Sequence, residues 1–317
     1  MKIKFLGELG MKVGREVEVK LERELTFDEL VELLRKRFPE AREEFDSIDF
    51  YMVSVNGKIV SRDEVRRIKF SDGDELIFLP SIAGGGIKAV IGKNFDLSVG
   101  NYDDFERKYG FFEKLAKDLA EFSGLKGVTL DVGCGTGVFG KIWKSSVGLD
   151  VAKNMVRKAR RFMKDVVVGD ASNLPFKSES FDSTVFNATI FLLPDAEKAL
   201  EEAMRVTKKG GVVAGSYIVG FFEGSEDALA KIGLRHRVPC ENGKLEKILE
   251  SFGAEINYVS YGFSKEAVMD FYSIPAMANG LFPRGDNLEE KVLMARERLK
   301  GLPDRVEFRW GMFRIVK

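Results

Sequence analysis

Three aspartates stand out in this 317-residue chain: Asp131, Asp150 and Asp170, nineteen and twenty residues apart, each at the end of an apolar run. The first lies in Leu130-Asp131-Val132-Gly133-Cys134-Gly135-Thr136-Gly137, the second in Gly148-Leu149-Asp150, the third in Val168-Gly169-Asp170-Ala171. A carboxylate at the end of a second strand can accept hydrogen bonds from two ribose hydroxyls. One at the end of a third can accept from an adenine amino group while the next backbone amide donates to the ring. Asp131 can bear on a cationic amino group, and the glycines beside it let backbone approach a bulky ligand closely. The order predicts a site for a zwitterionic nucleoside.

Two other nucleotide motifs overlap the same glycines. Gly135-x-Gly137-x-x-Gly140 matches the dinucleotide fingerprint, but its acidic residue follows too soon and Asp131 would repel a pyrophosphate. Gly135 to Lys141 resembles a phosphate-binding loop, but Ile142 stands where a Ser or Thr would hold magnesium.

Residues suited to the second half of a reaction are sparser. Asn187-Ala188-Thr189-Ile190 follows the fourth strand but lacks the Asn/Asp-Pro-Pro-aromatic pattern that grips planar amino groups. Pro239-Cys240 matches a nucleophile dipeptide of cytosine-C5 chemistry, yet it falls after the fifth strand rather than the fourth. His236 is the sole imidazole and a candidate general base, against the commoner structural use of a loop histidine. The stretch 266–283 is rich in Met and aromatics and suits either a lid over an apolar substrate or ordinary core. Cys134 needs only to be small between glycines. With two cysteines and one histidine, neither a disulfide framework nor a Cys/His metal cluster can be built.

These residues require an alternating α/β scaffold. Strands are expected at 128–132, 146–150, 165–169, 182–187 and 211–218, with helices at 152–163 and 196–206, which implies a parallel sheet flanked by helices. A helix at 102–122 precedes them. A helix at 245–252, a strand at 255–261, helical stretches at 265–275 and 288–300, and a closing strand at 306–316 follow. Ahead lies a smaller α+β unit with strands at 2–6, 16–21, 51–55, 58–60 and 75–79. Its helix opens at the capping box Thr26-Phe27-Asp28-Glu29, and Asn56-Gly57 marks a hairpin. The order β-β-α-β-β-β is that of a β-grasp fold. The domains expected are therefore 1–86, a linker at 87–100 opened by Gly84-Gly85-Gly86, and 101–317.

Composition narrows the class. The 1–86 unit holds 15 basic and 18 acidic residues, leaving 35 and 32 for the rest, so neither part shows the basic excess of a nucleic-acid binder. No apolar run is long enough to span a bilayer and no signal peptide opens the chain, so a cytoplasmic location is the default. Absent glutamine with abundant Glu, Lys and Arg fits a thermophile.

The strings TLDVGCGTG, VGLDVAKNM, VVGDASNLPF, FDSTVFNATIFLL and VTKKGGVV resemble the class I S-adenosylmethionine-dependent methyltransferases, most of all the group with menaquinone and other small-molecule enzymes. The resemblance covers about residues 100–262. It implies a Rossmann-like doubly wound sheet and S-adenosylmethionine as cofactor, with S-adenosylhomocysteine as product. Asp131 and Gly133, Cys134, Gly135 and Gly137 would cradle the methionine part, Asp150 would bind the ribose, Val151 would also contact the cofactor, and Asp170 with Ala171 would hold the adenine. Tyr102 resembles a helix tyrosine that contacts the cofactor carboxylate, and Asn187 would lie near the transferring methyl. No catalytic residue is implied. The expected acceptor is small and partly apolar, with RNA or protein as the alternative.

Residues 1–86, with Val55-Asn56-Gly57-Lys58 and Phe70 through Gly85, resemble the ubiquitin-like sulfur carriers: the molybdopterin-synthase small subunit, the thiazole sulfur carrier and archaeal modifiers. That family uses a terminal Gly-Gly, here Gly84-Gly85, whose carboxylate an activating enzyme adenylates. In this chain the glycines are internal, so carrier chemistry would need a protease to cut after Gly85. The alternative is an intact fusion in which the β-grasp unit docks or oligomerises.

Overall fold

The computed structural model describes residues 1–5, 7–42, 45, 48, 51–60, 62–79, 87–283 and 287–317. It forms two compact units, Met1–Val90 with Phe282–Asn287 and Ile91–Leu281 with Leu288–Lys317.

In the first unit, strands β1 (Lys2–Phe5), β2 (Glu16–Glu18), β4 (Met52–Val55), β5 (Lys58–Val60) and β7 (Glu75–Leu79) form a sheet in the order β2-β1-β7-β4-β5. The two central strands, β1 and β7, pair in parallel, with Ile3 opposite Leu76 and Phe5 opposite Phe78. Helix α2 (Phe27–Arg37) starts at the expected capping box, Thr26 and Glu29 each capping the other's backbone amide. It buries Phe27, Leu30, Val31 and Leu34 in the core that holds Ile3, Phe5 and Phe78. Asn56 and Gly57 both have positive φ, as the two-residue hairpin between β4 and β5 demands. Four short elements went unforeseen. Helix α1 (Gly7–Val13) follows β1, the pair β3 (Leu25–Thr26) and β6 (Lys69–Phe70) forms a second small sheet, and α3 (Arg62–Arg67) precedes β6. At α1, a Cβ on Gly10 would lie 2.3 Å from the Phe5 carbonyl oxygen, so glycine permits the tight return.

In the second unit, α4 (Ile87–Tyr109) and α5 (Phe111–Ser123) lead into β8 (Thr129–Val132), α6 (Val138–Ile142), β9 (Ser146–Asp150), α7 (Lys153–Ala159), β10 (Asp165–Val168) and β11 (Phe181–Phe186). Then come α8 (Ala196–Val206), β12 (Thr207–Glu223) with a short partner β13 (Glu226–Asp227), α9 (Ala228–Lys231) and α10 (Asn242–Ser251). The chain closes with β14 (Glu255–Ser264), α11 (Lys265–Phe271), α12 (Pro275–Leu281), α13 (Leu288–Leu299) and β15 (Arg305–Val316). The sheet runs β10-β9-β8-β11-β12-β15-β14. Its first five strands are parallel, whereas β15 inserts antiparallel between β12 and β14. The sheet is therefore Rossmann-like and doubly wound but mixed at one end.

Two expectations need correction. Residues 87–100 are not an aperiodic linker but the first part of α4. Besides Phe105, the inward face of that helix carries Gly92, Ser98 and Glu106, small and polar residues that hide the helical period from a hydropathy reading. The expected helix at 102–122 is two helices, broken where Gly110 takes φ +57. The Glu106 carboxylate bridges the break, accepting from the amides of Phe112 (2.8 Å) and Glu113 (3.0 Å).

Candidate active site

The glycine turn after β8 fixes the site. Both Gly133 (2.7 Å) and Cys134 (3.0 Å) donate their amides to the Leu149 carbonyl of β9. Gly133 has φ +75, and a Cβ there would meet Thr189 Cγ2 at 2.2 Å, so only glycine fits. Gly137, with φ +85, lies against Ala159 backbone at the start of α6. Gly135 is different. Its φ is +53, yet no protein atom lies within 4 Å of a Cβ placed there. Two glycines make the turn; the third leaves room. Cys134 packs among Val156, Ala159, Met163 and Val166, the bland role expected of it.

Asp131 and Asp150 end adjacent parallel strands and meet at this turn. Asp131 is buried, and its Oδ1 has no hydrogen-bond partner. Burial first, and the Asp150 charge second, hold its carboxyl well above the usual carboxylate range. Asp150 is held by backbone: Oδ2 accepts from the Gly135 amide and Oδ1 from the Ala152 amide, both at 2.8 Å. Its pKa is pushed up to about 6, burial outweighing those two amides. Val151 follows, 40% exposed although apolar, just before α7.

Asp170 lies in the turn after β10, the strand beside β9, and the Gly169 amide bonds the Asp150 carbonyl at 3.0 Å. Its Oδ1 accepts from both the amide and hydroxyl of Ser172 at 2.9 Å, and Ala171 between them is buried. Asn187 follows β11, with an unpartnered, buried Oδ1. Next to it Ala188 adopts φ +57, held by a 2.9 Å bond from its amide to Ser216 Oγ. Thr189 Oγ1 donates toward the Gly133 carbonyl at 3.1 Å, tying this turn to the glycine turn.

Helix α4 supplies the remaining wall. The Tyr102 ring stacks on Phe112 at 4.6 Å, and burial together with Glu106, Asp131 and Asp150 holds its phenol well above its usual value. Tyr102 is therefore within electrostatic range of both carboxylates. Asp96, on the same helix, caps Asn154 of α7 (2.6 Å to the amide), and a Cβ on Gly92 would sit 3.4 Å from Val151 Cγ1. Ion pairing of Asp103 with Lys158 fastens the helix further. Neither Asp96 nor Thr189 was anticipated. Asp96 lay in the supposed linker, and Thr189 has no signal beyond following Asn187.

The structure thus gathers Tyr102, Asp131, Gly133, Cys134, Gly135, Gly137, Asp150 and Val151 around one turn, with Asp170 and Ala171 at the next strand end and Asn187 joined through Thr189. His236 lies elsewhere, its Nδ1 3.2 Å from Tyr272 Oη. The 266–283 stretch forms α11 and α12, which bury Val268, Phe271, Tyr272, Met277 and Leu281 as packed core. A separate cleft of about 730 Å3 lies along the edge strand β14, lined by Tyr109, Lys114, Asp118 and Tyr261 among others. None of the expected site residues lines it. Gly84 and Gly85 lie outside the described residues.

Comparison with known proteins agrees with this division. Residues 130–215 match the methyltransferase domain family, and residues 3–85 match the ThiS family. A malonyl-[acyl-carrier protein] O-methyltransferase of Yersinia pestis is 36% identical over 110 residues, 33% of this chain and 40% of that protein. A demethylmenaquinone methyltransferase of Staphylococcus aureus (strain MRSA252) is 33% identical over 135 residues, 39% of this chain and 55% of that protein. A solved SAM-dependent methyltransferase from Thermotoga maritima is 21% identical, with a TM-score of 0.46 over 71% of this chain and 99% of that one. The chain spans about half the length or less of these two curated relatives. It carries a methyltransferase domain behind a ThiS-type β-grasp domain.

Proposed function

We propose that this protein transfers a methyl group from S-adenosylmethionine to a small, partly apolar acceptor. The observation that carries the reading is the pair of buried carboxylates at neighbouring strand ends, one unpartnered and one gripped by backbone amides, around a glycine with open space before it. An anionic phosphate is repelled by such a pair; a ligand with an ammonium group and a ribose diol satisfies both.

Asp131 faces the ammonium, Asp150 accepts from the ribose hydroxyls, Val151 lies under the adenine, and Asp170 with the Ala171 amide reads its edge. Tyr102 closes the methionine end from α4. The cofactor supplies an electrophilic methyl group on a sulfonium, already an excellent leaving group. The protein's task is then to hold donor and acceptor in line and exclude water. Asn187 Oδ1, beside the glycine turn, is placed to orient the reacting end.

Titration calorimetry with S-adenosylmethionine and S-adenosylhomocysteine, followed by a tritiated-methyl screen over metabolites, tests the reading. Micromolar binding and labelled product are expected. Absence of binding sinks it, and binding without transfer to any acceptor makes the domain a cofactor sensor.

For the ThiS-type unit the intact fusion is favoured, as a docking or oligomerisation module. Cleavage after Gly85 would instead release a carrier for an adenylating enzyme. Intact-mass measurement on protein from its native cell decides: a species ending at Gly85 refutes permanent fusion.

A further inference from the structure

Among the described residues of the methyltransferase unit, four buried side-chain polar atoms have no hydrogen-bond partner: Asp131 Oδ1, Asn187 Oδ1, His236 Nε2 and Trp310 Nε1. Such groups are rare in folded proteins, because each sacrifices its hydration. The first two belong to the site already described. The other two are buried apart from it and are tied to it only through Phe191. Trp310, on β15 beside Ile218 of β12, meets Phe191 edge-on at 6.0 Å, and Phe191 belongs to the turn that follows Asn187. The loop carrying His236 is tied to that turn, since the Cys240 amide donates to the Phe191 carbonyl at 3.0 Å. From the other side, Tyr272 contacts Phe221 (5.9 Å), Phe221 stacks on Phe308 (4.0 Å), and Phe308 meets Trp310 (5.2 Å). His236 and Trp310 are thus polar atoms set in an aromatic wall.

His236 is the better prepared of the two. Its Nδ1 is held by Tyr272 Oη, and a Cβ on Gly280 would meet its Cε1 at 2.5 Å, so α12 closes on the ring at glycine. Its Nδ1 is fixed while its Nε2, buried, is left without a partner. Building on the methyl-transfer reading, we propose that His236, oriented by Tyr272, recognises the methyl acceptor, its Nε2 hydrogen-bonding a neutral hydroxyl, carbonyl or amide borne on a flat apolar body. Burial holds the imidazole at about 4, so it is uncharged at neutral pH and gives no counter-charge to a carboxylate or phosphate. Tyr272 is a positioning residue: it sets the ring and does not touch the acceptor.

The chain has one histidine, so 15N-histidine labelling of the full protein yields only two imidazole nitrogen signals. Phenol is titrated as the probe, with toluene as the apolar control, both with and without saturating S-adenosylhomocysteine. The proposal expects phenol to shift the Nε2 signal while leaving Nδ1 nearly still, and toluene to shift neither. Tyr272→Phe, which keeps the ring and drops the hydroxyl, should move Nδ1 in the unliganded protein and weaken the phenol response about fivefold. An Nε2 signal unmoved by phenol up to its solubility limit, or moved equally by toluene, overturns the assignment. Failure of S-adenosylhomocysteine to bind in calorimetry sinks the methyl-transfer reading instead, and the phenol titration without it remains readable.

Discussion

At the scale of single residues, the glycine turn separates folding from binding. Gly133→Ala drives a methyl group into Thr189 at a positive φ, so it should destabilise the unit by about 2 kcal/mol or more and lower its melting temperature. Gly135→Ala also has a positive φ but meets no protein atom, so it should cost about 1 kcal/mol while losing most affinity for S-adenosylhomocysteine. Paired thermal melts and calorimetry distinguish the two. The carboxylates predict a pH dependence. Asp150 has a folded pKa of about 6, above its unfolded value, so the fold favours its neutral form. That contribution is complete below the unfolded pKa, near 4, and is lost as pH rises through about 6, so the ligand-free protein should lose stability over that window. Asp131 acts in the same direction. A ligand that offers hydroxyls and an ammonium favours the ionised forms. Binding should therefore strengthen from pH 5 to 7 and release protons, read as a buffer-dependent enthalpy. Asp150→Asn should flatten the profile and weaken binding about tenfold or more.

At the scale of elements, Glu106 is the testable joint. Its carboxylate caps two amides at the start of α5, across the Gly110 break, while itself buried with a raised pKa from desolvation. Glu106→Ala leaves those amides uncapped and should lower stability by about 1–2 kcal/mol, visible in urea unfolding. It should also weaken cofactor binding, since Tyr102 stacks on Phe112, whose amide Glu106 holds. Much of this scale was legible in advance. The strand ends at Asp131, Asp150 and Asp170 followed from apolar runs closed by Gly and Asp. The capping box at Thr26 and Glu29 named the start of its helix. What escaped was decided by tertiary contact. Helix α4 buries Gly92, Ser98 and Glu106, so its inner face looks polar in sequence. The antiparallel placement of β15 depends on which edge receives it, and no local pattern records that. Gly10 permits helix α1, which no sequence pattern announced.

At the scale of the whole molecule, two units with separate cores should unfold separately. Scanning calorimetry is expected to show two transitions. Saturating S-adenosylhomocysteine at a hundred times its Kd should raise only the methyltransferase transition, adding about 2.7 kcal/mol. A single transition, or a shift of both, would contradict independent units. No helix among the described residues is long and apolar enough to cross a membrane. Fold and donor site were legible because strand-end chemistry is local in sequence. The proposed acceptor side was not, because His236 and Tyr272, 36 residues apart, meet only through tertiary packing.

Helix α4 begins at Ile87, two residues beyond Gly85, and carries no acidic side chain in its first turn. A cut after Gly85 would leave a new ammonium group one residue ahead of that first turn in sequence, where positive charge opposes the helix dipole. That repulsion is worth about 0.3–1 kcal/mol and acts on the first turns. The same helix presents Asp96 to α7 and Tyr102 to the carboxylates. A cut there would thus be felt in the first turn of α4 and fade before Asp96 and Tyr102, leaving the nucleoside site in place.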